Sequence, residues 1–310
     1  MLKQCRYMLL VGIAVAITLF ISACGSTTSG STGGTTSTSA PGTLGTPGQY
    51  NCISGSLVAS GSTALAPLVQ AVAQKYQGKC ASAHITVNLG GSKTGLSQAE
   101  AGSVGVGNSD IFASSSQSDL VDHQVAVVIF GVIVNAKVGV TNLTTAQIQG
   151  IYAGTYTNWK QVGGPDMKIV VVSRPASSGT RATFQQYVLG GPEKVAGPTS
   201  LTTDSTGTVV TNVAQTAGAI GYAATGPAKG NSGVSLISLD GNAPTSALSE
   251  NNTYKFWNIE HMYTKGQPSQ LAQALIDYMA SSDAATVAAT QDFIPLDQMQ
   301  SSAVQTHQPK

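Results

Sequence analysis

The chain has 310 residues, of which only 9% are charged, with 15 Lys and Arg against 14 Asp and Glu for a net charge of +1. So even a balance offers no basic surface for nucleic acid. With 35 glycines and few charges, the chain must work through short backbone and hydroxyl contacts more than through ion-pair networks.

At the N-terminus, Lys3 and Arg6 precede an apolar stretch from Met8 to Ile21. At about 14 residues it has signal-peptide length and falls short of the ~20 residues that a membrane-spanning helix needs. It ends in Ile21-Ser22-Ala23-Cys24, which resembles the lipobox of a bacterial lipoprotein, where the cysteine takes lipid and becomes the first residue of the mature chain. Residues 1–23 are therefore expected to be a lipoprotein signal peptide, with Cys24 lipidated. The alternative is a plain secretory signal with a chance cysteine. Residues 24–49 are read as the lipidated cysteine and a flexible tether. Gly25 to Gly48 is Ser, Thr, Gly and Pro with almost nothing apolar, so it cannot offset its ordering entropy. Such a tether would reach about 28 Å on average. Removing Lys3 and Arg6 leaves 13 basic against 14 acidic residues, a net of about −1.

Cys5 leaves with the signal, so Cys52 and Cys80 remain as an even pair in an oxidising compartment, and a disulfide is expected. Two free thiols are the alternative. Two isolated cysteines with no nearby His pair argue against a metal.

From Tyr50 onward the pattern alternates. Gly55 to Ala59 reads as a strand, and Pro67 to Tyr76 has helical spacing in Leu68, Val69, Val72, Ala73 and Tyr76. Ile85 to Leu89 is a second strand, followed by a Gly-rich turn and a short helix carrying Leu96 and Ala99. Val104 to Ser109 is a third strand, ending at Asp110. The apolar run Val125 to Val134 suits a buried strand passing from one lobe into another. Thr144 offers an N-cap hydroxyl to the next helix. Further strands are read at Lys168 to Val172, Ala219 to Tyr222, Val234 to Leu239 and Trp257 to Tyr263, and helices at Phe184 to Leu189 and Leu271 to Met279. Alternation of this kind predicts a two-lobed α/β protein with a largely parallel sheet and ligand at the strand carboxyl ends. Trp159, Phe184, Trp257 and Tyr263 lie in apolar contexts and are read as core.

Three turns share one chemistry. Gly61-Ser62-Thr63, Gly90-Gly91-Ser92 and Ser177-Ser178-Gly179-Thr180 each combine hydroxyls with backbone N–H groups at a helix start, where about four donors lack partners. Converging, they would cage a tetrahedral anion; singly, each is an ordinary cap. Arg174 adds a planar donor fork suited to two oxygens of one phosphate, or forms a surface salt bridge. Asp110 is out of place in an anion cage unless the ligand carries a proton to give it. Hydrogen phosphate has such a proton and sulfate at neutral pH has none, so sulfate would meet an unbridged charge conflict. Otherwise Asp110 is a turn or N-cap aspartate.

The segments Ser60 to Pro67, Gly91-Ser92-Lys93-Thr94-Gly95, Gly107-Asn108-Ser109-Asp110 and Arg174 to Phe184 resemble the phosphate-binding proteins (PstS) of phosphate-specific ABC importers. The likeness continues through Thr157-Asn158-Trp159-Lys160, Asp204-Ser205-Thr206-Gly207-Thr208 and Glu260-His261-Met262-Tyr263-Thr264, and spans Gly55 to Pro295 in order. It implies a class II periplasmic-binding-protein fold with two α/β lobes, a two-strand hinge and an interlobe ligand cleft. Residues 50–130 and 227–305 would form the first lobe, 131–226 the second and 306–310 a tail. It further implies phosphate donors at Thr63, at the N–H of Ala64, at Ser92 and at Ser178, Gly179 and Thr180, with Ser62 as a further candidate. Asp110 would accept the phosphate proton, and Arg174, held by Asp110 or a neighbour, would pair with oxygens. Partners would be inorganic phosphate, the permease and ATPase subunits of an importer, and the membrane through a lipid anchor. Catalytic residues, cofactors and metals are not expected, nor is nucleic acid, and a monomer suffices because there is one cleft. The site departs from the family where Lys93 stands in place of a frequent glycine; its side chain is expected to face solvent, the alternative being that it adds positive potential at the cleft.

Competing readings remain. An enzyme, such as a secreted phosphate-ester hydrolase, would need a metal cluster or an activated nucleophile. Lys93-Thr94-Gly95 matches one fragment of the penicillin-recognising signature, without Ser-x-x-Lys or Ser-Asp-Asn beside it. His84, His123, His261 and His307 are scattered, the last being read as tail. A binding protein for another oxyanion, or a sensor, shares the same fold.

Overall fold

The computed structural model describes residues 50–194, 201–202 and 205–309. The signal segment, Cys24, the tether and Asp204 lie outside the described residues. Cys52 and Cys80 form a disulfide, with Cα atoms 5.2 Å apart, that ties the entering chain to the end of the first helix.

In the first lobe, β1 (Gly55–Gly61), α1 (Ala66–Lys79), β2 (Ala83–Leu89), α2 (Ser92–Glu100) and β3 (Val106–Ser109) alternate as expected. Pro67 sits in the first turn of α1, where its missing N–H costs nothing, and Leu68, Val69, Val72, Ala73 and Tyr76 face the core. β1 lies between β2 and β3, parallel to both.

β4 (Leu120–Asn135) is a 16-residue strand, buried continuously from Ala126 to Asn135. Flanked on both edges and covered on both faces, it reads as an unbroken apolar run for that reason. After it come β5 (Asn142–Leu143), α3 (Thr145–Tyr152) with a Thr144–Gln147 capping box, and β6 (Val170–Ser173). α4 (Gly179–Phe184) continues as one wider turn to Leu189 and is followed by β7 (Leu201–Thr202), α5 (Thr206–Gln215), β8 (Ala219–Ala224) and α6 (Thr225–Lys229). β9 (Val234–Leu236), β10 (Ser238–Leu239), α7 (Ser246–Glu250), β11 (Trp257–Lys265), α8 (Gln270–Met279), α9 (Ser282–Thr290), β12 (Phe293–Ile294) and α10 (Ser301–Thr306) complete the described chain.

The main sheet runs β2-β1-β3-β11-β4-β8-β6-β7, with β9 and β12 also paired to β4. β4 carries the sheet from one lobe into the other: Leu120 to Ile129 pairs with β11, and Phe130 to Val134 pairs with β8. The return passage lies alongside, where Phe130 N donates to Phe256 O at 3.0 Å.

Two expectations change. The sheet is parallel only in its outer parts, β2-β1-β3 and β8-β6-β7; at its centre β11 runs against both β3 and β4, and β4 runs against β8 and β9. β9 pairs with Ile133 to Asn135 of β4, and β10 pairs with β5. Finally, the helix read at Phe184 begins at Gly179, because Ser178 accepts the amide of Arg181 and starts it early. Trp159, Phe184, Trp257 and Tyr263 are buried as core. His307, read as tail, is buried too, its ring stacked on those of Trp257 and Tyr187 with centroids 3.5 and 4.0 Å away.

Candidate functional site

The carboxyl ends of β1, β2 and β3 are laced together. Gly61 O accepts the amides of Gly90 and Gly91 at 3.0 and 2.9 Å, and Ser62 N donates to Asn108 O at 2.8 Å. Gly61 has φ +136°, and a Cβ there would lie 2.1 Å from Asn108 O, so glycine is required. Three first-lobe turns thereby open onto one spot, where strand ends in α/β sheets place ligands.

Asp110 is at the centre of that spot and is 1% exposed. The Ser62 hydroxyl donates to its Oδ1, and the Thr180 hydroxyl, from the second lobe, donates to Oδ2 at 3.0 Å. Ser92 Oγ accepts the Asp110 amide at 3.0 Å, and Asn258 donates to the Asp110 carbonyl at 2.7 Å. Burial pushes the Asp110 carboxyl above the usual carboxylate range, while the two hydroxyls and the Arg174 charge pull the other way.

Arg174 is equally buried. Its guanidinium donates to Thr63 Oγ1 at 3.0 Å and to Thr206 Oγ1 at 3.4 Å. Thr63 Oγ1 also accepts the Thr206 amide at 3.1 Å, so a first-lobe hydroxyl is gripped by two second-lobe groups. Behind Arg174, Arg181 donates to the Arg174 carbonyl at 2.8 Å and pairs through Nε with Glu193 at 2.8 Å, which fixes the loop that carries the guanidinium.

The two lobes meet without a gap at α4. A Cβ on Gly179 would lie 2.3 Å from Ser92 Oγ and 2.9 Å from Asp110 Cβ. Lys93 N donates to Ser177 O at 3.1 Å, and the Lys93 side chain faces solvent as expected.

The structure therefore links Ser62, Ala64, Ser92, Asp110 and Thr180 by hydrogen bonds and Thr63 with Arg174 beside them, while Gly179 packs against Ser92 and Asp110 and Ser178 caps α4. Two of them also hold local amides. Ser62 Oγ accepts the amides of Ala64 and Leu65 at 3.1 and 3.0 Å, so the Ala64 N–H is engaged by Ser62 here. Ser178 Oγ accepts the Arg181 amide at 3.2 Å. Sequence reasoning did not single out Thr206, Asn258 or Glu260. Thr206 and Glu260 lie within quoted motifs, and a lone carboxylate in the apolar strand around Glu260 was the available signal.

Among the described residues, no group of three or more His, Cys, Asp or Glu side chains could hold a metal ion. A separate depression of about 330 Å³, lined by Gln149, Tyr152, Leu189 and Lys194 among others, contains none of the clustered groups.

Residues 26–283 match the PBP superfamily domain family. The phosphate-binding protein PstS of Bacillus subtilis (strain 168) is 43% identical over 251 residues, covering 79% of this chain and 82% of that protein. A crystal structure from Clostridium perfringens, of a candidate phosphate ABC transporter substrate-binding protein with bound phosphate, aligns with a TM-score of 0.73 at 29% identity, covering 78% of this chain and all of the other. An ABC-type phosphate transport receptor from Vibrio cholerae aligns with a TM-score of 0.63 at 30% identity, over 77% and 99% of the two chains.

Proposed function

This chain belongs to the PstS phosphate-binding proteins of the PBP superfamily, and from that premise we propose that it captures inorganic phosphate outside the cytoplasm and hands it to a phosphate ABC importer. One observation carries the reading furthest: a buried carboxylate, Asp110, is built into a cluster otherwise composed of donors. A donor cage alone would suit any tetrahedral oxyanion. The carboxylate suits one that brings its own proton, because the proton then bridges two groups that would otherwise repel.

In this reading Thr63, Ser92, Ser178, Thr180 and the amides of Ala64 and Gly179 turn their donors to phosphate oxygens, and Ser62 supports them. Arg174 supplies the fixed positive charge, with Thr206 bracing it. Asp110 accepts the ligand proton. Contacts that now run between lobes, Thr63 to Arg174 and Asp110 to Thr180, are exchanged for contacts to a ligand shared by both, so the ligand favours closure. Exclusion of water at closure strengthens each contact. No bond is made or broken, so neither a nucleophile nor a cofactor is called for.

The delivery half of the proposal has as partners the permease and ATPase that an ABC importer requires, the relatives being named for ABC phosphate transport. Cys24 is proposed as the lipid anchor and residues 25–49 as the tether that gives the domain its reach. One cleft serves one monomer.

Calorimetric titration of ligand-stripped protein with phosphate and, separately, sulfate tests the binding claim. Tight phosphate binding beside negligible sulfate binding is expected. Equal binding of both would move the assignment to a general oxyanion receptor, and binding of neither would remove it.

A further inference from the structure

Glu260 is fully buried, and neither of its carboxyl oxygens meets a conventional hydrogen-bond donor. A carboxylate left so would be costly, and a carboxylic acid with one acceptor in reach would not. The backbone shows which acceptor is in reach. Asn258 and Glu260 are two residues apart on β11, in regular register with Val128 and Ala126, so they share a face. Asn258 already donates to the Asp110 carbonyl at 2.7 Å. The ladder then shifts between Glu260 and His261, and His261 pairs with Ser109, the residue before Asp110. A bulge at this place re-aims the side chain beside it, as bulges next to binding sites do.

We propose that Glu260 is a positioning residue for phosphate recognition: a protonated acid on the hinge strand that donates to Asp110 and so keeps Asp110 anionic and aimed at the ligand proton. The proposal rests on the reading of the cluster as a phosphate site. It assigns the Glu260–Asp110 pair one negative charge between them and gives Asp110 three donors of its own, Ser62, Thr180 and Glu260.

The surroundings agree. From β4, the residue opposite is Ala126, and Gln124 stands opposite His261 beyond the shift; neither titrates. From β3, Asn108 and Ser109 carry no charge. His261, the next residue on β11, turns its Nδ1 to Asp122 at 2.8 Å. From the second lobe, Thr180 and the Arg174 charge act on Asp110. Asp110 is thus the charged group that Glu260 faces, and burial together with that neighbouring charge pushes the Glu260 carboxyl well above the usual range.

The test compares phosphate affinity as a function of pH for wild type, Glu260→Met and Glu260→Gln, with an infrared spectrum of phosphate-loaded wild type. Gln can still donate to Asp110 and Met cannot. Met is expected to weaken binding about tenfold at neutral pH and to shift the acid limb of the affinity profile to higher pH, because Asp110 loses a donor. Gln is expected to keep both near wild type. A protonated-carboxyl band should be present in the wild-type spectrum at neutral pH and absent with Gln. If wild type binds phosphate while Met leaves affinity and profile unchanged, or the band is missing from wild type, the role of Glu260 is overturned alone. If wild type does not bind phosphate, the ligand reading falls and this proposal falls with it. Should the Met variant fail to fold, the Gln profile and the wild-type spectrum still decide.

Discussion

Gly179 of the second lobe lies against Ser92 of the first so closely that a single added carbon would sit 2.3 Å from the Ser92 hydroxyl. The contact exists only when the lobes are together, so it belongs to closure and not to either lobe's own folding. Gly179→Ala should therefore separate the two. Overpacking of ~1–3 kcal/mol in the closed form predicts a roughly 5- to 150-fold loss of phosphate affinity. Alanine is also the better helix former within α4, so the melting temperature of stripped protein should be unchanged or slightly higher. Calorimetry and thermal melts on the same sample check both halves.

Arg174 is buried with two threonine hydroxyls on its fork. Lysine keeps the charge but offers one point of contact in place of a planar pair. Arg174→Lys is expected to lower phosphate affinity by about 2 kcal/mol, roughly thirtyfold. Because the pair is buried, salt should change the loss little; titrations at low and high ionic strength measure this.

The Cys52–Cys80 bridge spans 28 residues and lies away from the cluster. Its removal with paired serines should lower unfolding free energy by about 3–4 kcal/mol and the melting temperature by roughly 10 °C for a domain of this size. Phosphate affinity should be unaffected, and reductant should reproduce the effect in wild type but not in the variant.

His307 is held to about 3 by burial between Trp257 and Tyr187, against an ordinary value near 6.5. The unfolded chain then binds a proton that the folded chain refuses. The stability linked to His307 is full above about pH 6.5 and is lost as pH falls toward 3, reaching the order of a few kcal/mol. His307→Phe retains the stacking and cannot titrate, so its melting temperature should fall less steeply than wild type over that window. The raised carboxyls of Asp110 and Glu260 act in the opposite sense, losing stability as pH rises. They are common to both proteins, so the difference isolates the histidine.

Much of the site was legible because its residues are local. Ser62, Ser92 and Ser178 each stand at a strand-to-helix turn whose Gly and hydroxyl spacing marks it without tertiary information. Asp110 follows directly on a strand end. Thr206 was missed because it reaches the cluster through Thr63, 143 residues away in sequence, and its helix α5 opens on Gly and Thr, which form helices weakly. The pattern of Val209, Val210 and Val213 beneath it was the unused clue. Glu260, proposed above as a positioning residue, carries no local mark of the face it takes, because strand register is set by the partner strand.

Selectivity in this protein turns on the proton acceptor at Asp110, and the most direct measurement is the ratio of phosphate to sulfate affinity in wild type and in Asp110→Asn. Asparagine keeps the shape and replaces a charged acceptor with a neutral amide that can also donate. The account predicts a large ratio in wild type that collapses by about tenfold or more in the variant, with phosphate weakened and sulfate gaining. A variant that holds the wild-type ratio would contradict it, since discrimination would then reside in the donor cage and not in the carboxylate.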